Sequence, residues 1–183
     1  MARTAWTLEN RTQLPARIAT ILVPVDFSAA SRAAMDHAVE LARAHEAAID
    51  VVHVWDVPSY SGAALVFEAN EGGRTSASPT FAQYMHDRAT SELEAFLASW
   101  GEAGLDIRGR VLDGEPARVL VALIRDEHFD LCVIGERDKG AREIILGSVA
   151  DAVLREADCP VVTVRAVPEP RAPEESAEGP RAR

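Results

Sequence analysis

An α/β protein built on an open, doubly wound parallel sheet of five strands, with helices on both faces, is the fold class this sequence predicts. Three observations lead there. Short β-branched apolar runs alternate with longer amphipathic stretches in the order β-α-β-α-β-α-β-α-β, which calls for parallel strands joined by right-handed crossovers. Most of the apolar runs are near-continuous, as in strands buried on both faces. A closed eight-unit barrel needs about 250 residues; this chain has 183, so the sheet stays open.

Ile18 to Val25 reads as the first strand, with Pro24 tolerable at its end but not in its middle. Asp26-Phe27-Ser28 offers an N-cap to a helix that buries Ala34, Ala38, Leu41 and Ala42 at spacings of three and four. Ala48 to Trp55 is the second strand, its Trp55-Asp56 end a packing residue and a turn former. Pro58 to Pro79, with Gly62, Gly72, Gly73 and several serines, is a long excursion of the functional or mobile kind. Phe81 to Trp100 is helical, with Met85, Ala89, Leu93, Phe96 and Leu97 in one stripe, stopped by Gly101 and Gly104. Leu105 to Leu112 alternates as a third strand. Asp113-Gly114-Glu115-Pro116 opens a helix carrying Val119, Leu120, Leu123 and Ile124, with Pro116 in its first turn. Asp130 to Gly135 is the fourth strand, Val149 to Ala157 the last helix and Val161 to Arg165 the fifth strand. The folded unit therefore spans residues 17–165. A loose leader (1–16) precedes it, and a tail (166–183) broken by Pro168, Pro170, Pro173 and Pro180 follows, with no stretch able to bury a face.

Composition narrows the function. Lys+Arg 19 against Asp+Glu 29 leaves a net charge of −10, which argues against a nucleic-acid partner, since phosphate-backbone binding rests on clustered Lys and Arg. A single nucleotide is not excluded, because a local loop does that work. Cys132 and Cys159 are too few and too far apart for a metal knuckle or a disulfide framework, and Cys132 sits in an apolar run as a small hydrophobe. Residues 1–13 lack the apolar core of a signal peptide, and no run approaches the roughly 18 apolar residues of a membrane span, so a cytoplasmic location with no membrane partner is expected.

In an open parallel sheet, ligands gather outside the carboxyl ends of the strands where strand order reverses. The outlets of the first and fourth strands, Pro24-Val25-Asp26 and Gly135 to Gly140, are the expected flanks. Gly135, Gly140 and Gly147-Ser148 let backbone N–H groups approach an anion, and Ser148 stands beside a helix N-terminus that favours negative charge. An alternative stays open: Ser148 merely caps its helix and the glycines only turn the loop.

Taken in order, Ile21-Leu22-Val23-Pro24-Val25-Asp26-Phe27-Ser28, His53-Val54, Gly114-Glu115-Pro116, Asp130 to Gly135, Gly147-Ser148-Val149 and Cys159-Pro160-Val161-Val162 resemble the universal stress protein family over about residues 17–165. That resemblance implies a strand order of 3-2-1-4-5, a homodimer formed through the last strand (Pro160 to Arg165), and membership of one of two subgroups, one binding ATP and one not. Nucleotide-binding members carry Gly, two residues, Gly, nine residues, then Gly-Ser or Gly-Thr. Gly135 and Gly147-Ser148 match the ends of that pattern. Asp138 stands where the middle glycine belongs, with eight residues between it and Gly147, and its carboxylate would repel phosphates. Arg137, Lys139 and Arg142 offset Glu136, Asp138 and Glu143 to a net of zero. At the base end, Asp26 and Val54 match the family's contact positions.

Other chemistries find less support. A phospho-accepting receiver domain would share Asp26, but Ala19 and Thr20 supply no acidic partners and the last strand has no Lys. The five histidines lie singly, His53 half-buried in its strand. No Gly-x-Ser-x-Gly elbow is present for nucleophilic catalysis. The expectation is a non-catalytic stress-response dimer whose pocket takes ATP with Mg²⁺, or a related adenine nucleotide, without efficient hydrolysis. Pro24, Val25, Asp26, Val54, Gly135, Gly140, Gly147, Ser148 and Val149 are the expected contacts, with the base between Val25 and Val54 and phosphates on the Gly140, Gly147 and Ser148 amides. The alternatives are a nucleotide-free dimeric interaction module and, more distantly, a small-molecule enzyme of the wider adenine-handling superfamily.

Overall fold

The computed structural model describes residues 17–55, 81–136 and 147–166. The leader, the 58–79 excursion, most of the 135–148 loop and the tail lie outside them. The elements are β1 (Thr20–Pro24), α1 (Ala29–His45), β2 (Ala48–Trp55), α2 (Phe81–Leu97), β3 (Ile107–Asp113), α3 (Pro116–Glu127), β4 (Leu131–Glu136), α4 (Ser148–Glu156) and β5 (Val161–Arg165). All strand pairs are parallel and the order is β3-β2-β1-β4-β5. The predicted fold class and strand order hold.

Strand alternation divides the core in two. Ile21, Val23, Ile49, Val51, Leu131 and Val133 point to one face, where α1 and α2 cover them with Ala34, Met35, Ala38, Leu93 and Phe96. Leu22, Val52, Cys132 and Ile134 point to the other, under Leu120, Val121 and Ile124 of α3 and Ala150 and Val153 of α4. The small residues of α1 let that helix lie close on the sheet. Closest of all is its first turn, where a Cβ on Gly135 would come within 2.6 Å of the Ala30 carbonyl carbon. Glycine at 135 is what permits β4 and α1 to touch.

Several boundaries differ from expectation. The Phe81–Trp100 helix ends at Leu97 and tightens into a 3-10 turn, Ala98–Trp100. There the Trp100 indole N–H donates to Asp36 on α1 (2.8 Å) and the ring packs against Phe96. Gly101 stays right-handed (φ −57°), and Gly104 (φ +68°) makes the left-handed turn. In α3 the buried line is Leu120, Val121 and Ile124, with Val119 and Leu123 flanking it half-buried, because α3 packs on α4 as well as on the sheet. Pro116 takes the first turn as expected, and Glu115 is the N-cap, accepting from the Ala117 and Arg118 amides (3.1 and 2.8 Å). Among the described residues no helix is long and apolar enough to cross a membrane.

Candidate functional site

Pro24 opens the site. In a parallel strand, the N–H and C=O of successive residues point alternately to the two edges. Val25 N–H bonds Val52 of β2 (2.9 Å) and the Thr20 carbonyl accepts from Asp130 beside β4 (3.1 Å), so even-numbered residues of β1 face β4. At position 24 that donor is missing. The register of β1 with β4 covers Ile21↔Leu131 and Leu22↔Cys132, and β1 stays paired with β2 as far as Pro24↔Val52. The carboxyl ends of β1 and β4 are thus free to part where strand order reverses.

A cavity of about 210 Å³ lies in that opening. Its walls are Pro24, Val25 and Asp26 after β1, Ile134 and Gly135 of β4, Val52 and Val54 of β2, Pro116 and Leu120 of α3, Ser31 of α1, and Gly147 to Ala150 at the start of α4. Every expected contact except Gly140 is on this wall; Gly140 lies outside the described residues. Ser31, Val52, Pro116, Leu120, Ile134 and Ala150 were not anticipated. Leu120 and Ile134 could have been found by extending the alternation of the second core to its open end, whereas Ser31 carried no periodic signal.

Among the described residues the wall is apolar apart from two hydroxyls and one carboxylate. Asp26 is exposed at the rim and is the one ionisable side chain among the described lining residues. Its Oδ1 accepts from the Ser31 hydroxyl (2.7 Å) and the Ser28 amide (3.1 Å). Phe27 between them adopts a left-handed φ of 62°, unusual for a bulky residue, and its ring rests on His53 (4.4 Å between centroids). His53 points away from the cavity and its Nδ1–H donates to the Val25 carbonyl (2.9 Å), which holds the rim strand in place.

At the opposite end, Gly147 is the N-cap of α4 and Ser148 is its first helical residue. The alternative in which Ser148 caps the helix is therefore not what the chain adopts: Ser148 lies inside α4, and its N-cap, Gly147, has no side chain to cap with. The first intrahelical bond runs from Asp151 N–H to the Gly147 carbonyl (2.9 Å), which leaves the amides of Ser148, Val149 and Ala150 ahead of the ladder. By contrast α1 is capped by Ser28 and α3 by Glu115. The positive end of α4 therefore adjoins an apolar slot, an arrangement suited to a ligand with a flat apolar body and an anionic end.

A family model, the universal stress protein family, matches residues 18–165. A universal stress protein of Methanocaldococcus jannaschii is 30% identical over 146 residues, covering 79% of this chain and 81% of that protein. Among solved structures, a universal stress protein in complex with cAMP has a TM-score of 0.57 at 22% identity, over 83% of this chain and 100% of that one. A universal stress protein family protein from Arabidopsis thaliana with AMP bound has a TM-score of 0.56 at 18% identity, over 85% and 97%. At those identities the two structures speak to the fold. With the family pattern matched from the first strand to the last, the chain belongs to the universal stress protein family.

Proposed function

We propose that this cavity receives ATP or a related adenine nucleotide and holds it without efficient hydrolysis. One observation carries the reading: an apolar slot, opened where Pro24 ends pairing with β4, runs to a helix N-terminus whose N-cap residue is glycine. The base would lie between Val25 and Val54, with Asp26 accepting from its edge. Phosphates would meet the amides of Gly147, Ser148 and Val149, together with Gly140. The AMP and cAMP bound to two relatives of the same fold favour an adenine ligand. No cluster of His, Cys, Asp or Glu able to hold a metal occurs among the described residues, so Mg²⁺ would arrive on the phosphates. Slow turnover is expected because Asp26, the one ionisable side chain among the described lining residues, is already held by the Ser28 amide and the Ser31 hydroxyl.

Equilibrium titration with labelled ATP and Mg²⁺ tests this. Saturable binding is expected, weakened about tenfold or more by Ser148→Glu, which sets a carboxylate where the phosphates would lie. No saturable binding at millimolar nucleotide would remove the reading. The second reading, a nucleotide-free dimeric interaction module, is favoured by β5, an edge strand whose apolar Val161, Val162 and Val164 are half-buried. Absorbance of any nucleotide released from purified protein on heating separates the two.

A further inference from the structure

The buried hydroxyl of Ser31 has a place in the cavity that the nucleotide reading does not use. Ser31 is 3% exposed and lines the slot, three residues into the first turn of α1. It can sit there because Gly135 lets that turn press against β4; a Cβ at 135 would come within 2.9 Å of the Ser31 nitrogen. A serine hydroxyl has one proton to give and two lone pairs. Here the proton goes to Asp26 Oδ1 (2.7 Å), and the oxygen accepts from the Asp26 amide (3.0 Å) and, at longer range, from the Ser28 hydroxyl (3.4 Å). The Ser28 amide grips the same Oδ1 (3.1 Å). The Asp26 side chain, although exposed, is thereby tied to the backbone through a buried group whose own bonding capacity is spent.

We propose that Ser31 is a specificity-determining positioning residue: by clamping Asp26 it makes the cavity select 6-amino purines over 6-oxo purines. This rests on the nucleotide reading above. A 6-amino purine offers a donor at its exocyclic nitrogen. A 6-oxo purine offers an acceptor there, which a carboxylate repels, but it carries a donor one ring position away. A mobile carboxylate could swing to that neighbouring N–H and accept both bases. A carboxylate held at Oδ1 by two donors cannot follow, so the 6-oxo base leaves an unpaired acceptor facing a charge, the situation in which hydrogen-bonding sites discriminate well. The clamp, rather than the charge, supplies the selectivity.

The test is calorimetric titration of the full chain with AMP and with IMP, for wild type, Ser31→Ala, Asp26→Asn and the double variant, each checked by thermal melting. Wild type is expected to favour AMP by tenfold or more, and Ser31→Ala to lower that ratio about tenfold, chiefly by gaining affinity for IMP. Ser31→Thr, which keeps the hydroxyl, restores the ratio. On the Asp26→Asn background the Ser31 change should add nothing, because Ser31 acts through that carboxylate. Should Ser31→Ala fail to fold, Ser31→Cys replaces it, since its weak thiol donor should give the same direction of change. A Ser31 variant that folds, binds and keeps the full ratio overturns the clamp while leaving the nucleotide reading intact. Wild type that binds neither AMP nor IMP overturns the clamp, and if it also binds no ATP in the titration above the nucleotide reading falls with it.

Discussion

Cys159 shows how a single residue's environment becomes a property of the whole chain. Burial, helped by Asp158 and Asp130, pushes its thiol from 9.0 up to about 12, and burial raises that of Cys132 well above 9.0 as well. The folded state thus binds protons that the unfolded state gives up first. Stability is fully present below pH 9 and falls as pH climbs toward the folded value, by about 1.4 kcal/mol per unit for Cys159. Urea denaturation at rising alkaline pH should give a shallower decline for Cys159→Ala than for wild type; parallel curves would contradict it. Neither thiol should react with an alkylating agent in the native protein at neutral pH. Cys132 was legible from its apolar run, and Asp26 from its place after a strand. Ser31 was not, because a five-residue contact across a strand-to-helix turn leaves no periodic trace. The start of α4 differed by one position, because Gly147 is the N-cap where serine is the commoner choice.

Among the elements, β1 is the one on which the site depends. It is the central strand of the sheet, where proline is ordinarily excluded, yet Pro24 falls on its last residue with the lost donor aimed at β4. The start of the same strand is held firmly: Asp130 Oδ2 accepts from the Ala19 and Thr20 amides (2.9 and 3.0 Å) and from the Thr20 hydroxyl (3.1 Å). One end of the β1–β4 seam is stapled and the other is released. Pro24→Ala returns an N–H facing β4. Hydrogen exchange should find the new amide at position 24 protected, and nucleotide binding should weaken as the seam tightens; a fully exchanging amide would refute this account of the opening. The strands were legible because apolar runs mark them whatever their neighbours. The 3-10 turn at Ala98–Trp100 was not, since it arises from the Trp100 bond to Asp36, 64 residues earlier.

At the scale of the whole molecule the open question is what β5 does with its outer edge. The Pro160 carbonyl accepts from the Cys132 amide (2.9 Å), so even-numbered residues of β5 face β4 and odd-numbered ones face outward. Proline at Val162 would therefore break the sheet itself, whereas proline at exposed Thr163 removes only an outward donor. If two copies pair through β5, as proposed, Thr163→Pro should shift the sedimentation profile from dimer to monomer while costing little in melting temperature. Charge supplies an independent check. Two chains of net charge −10 repel, and that repulsion is screened within about 8 Å at physiological ionic strength, so association should strengthen between low and moderate salt. A wild-type profile that stays monomeric at every salt concentration, or a dimer indifferent to Thr163→Pro, would place self-association elsewhere or nowhere. The cavity would be untouched by either result, because its described wall is drawn from β1, β2, β4 and three helices.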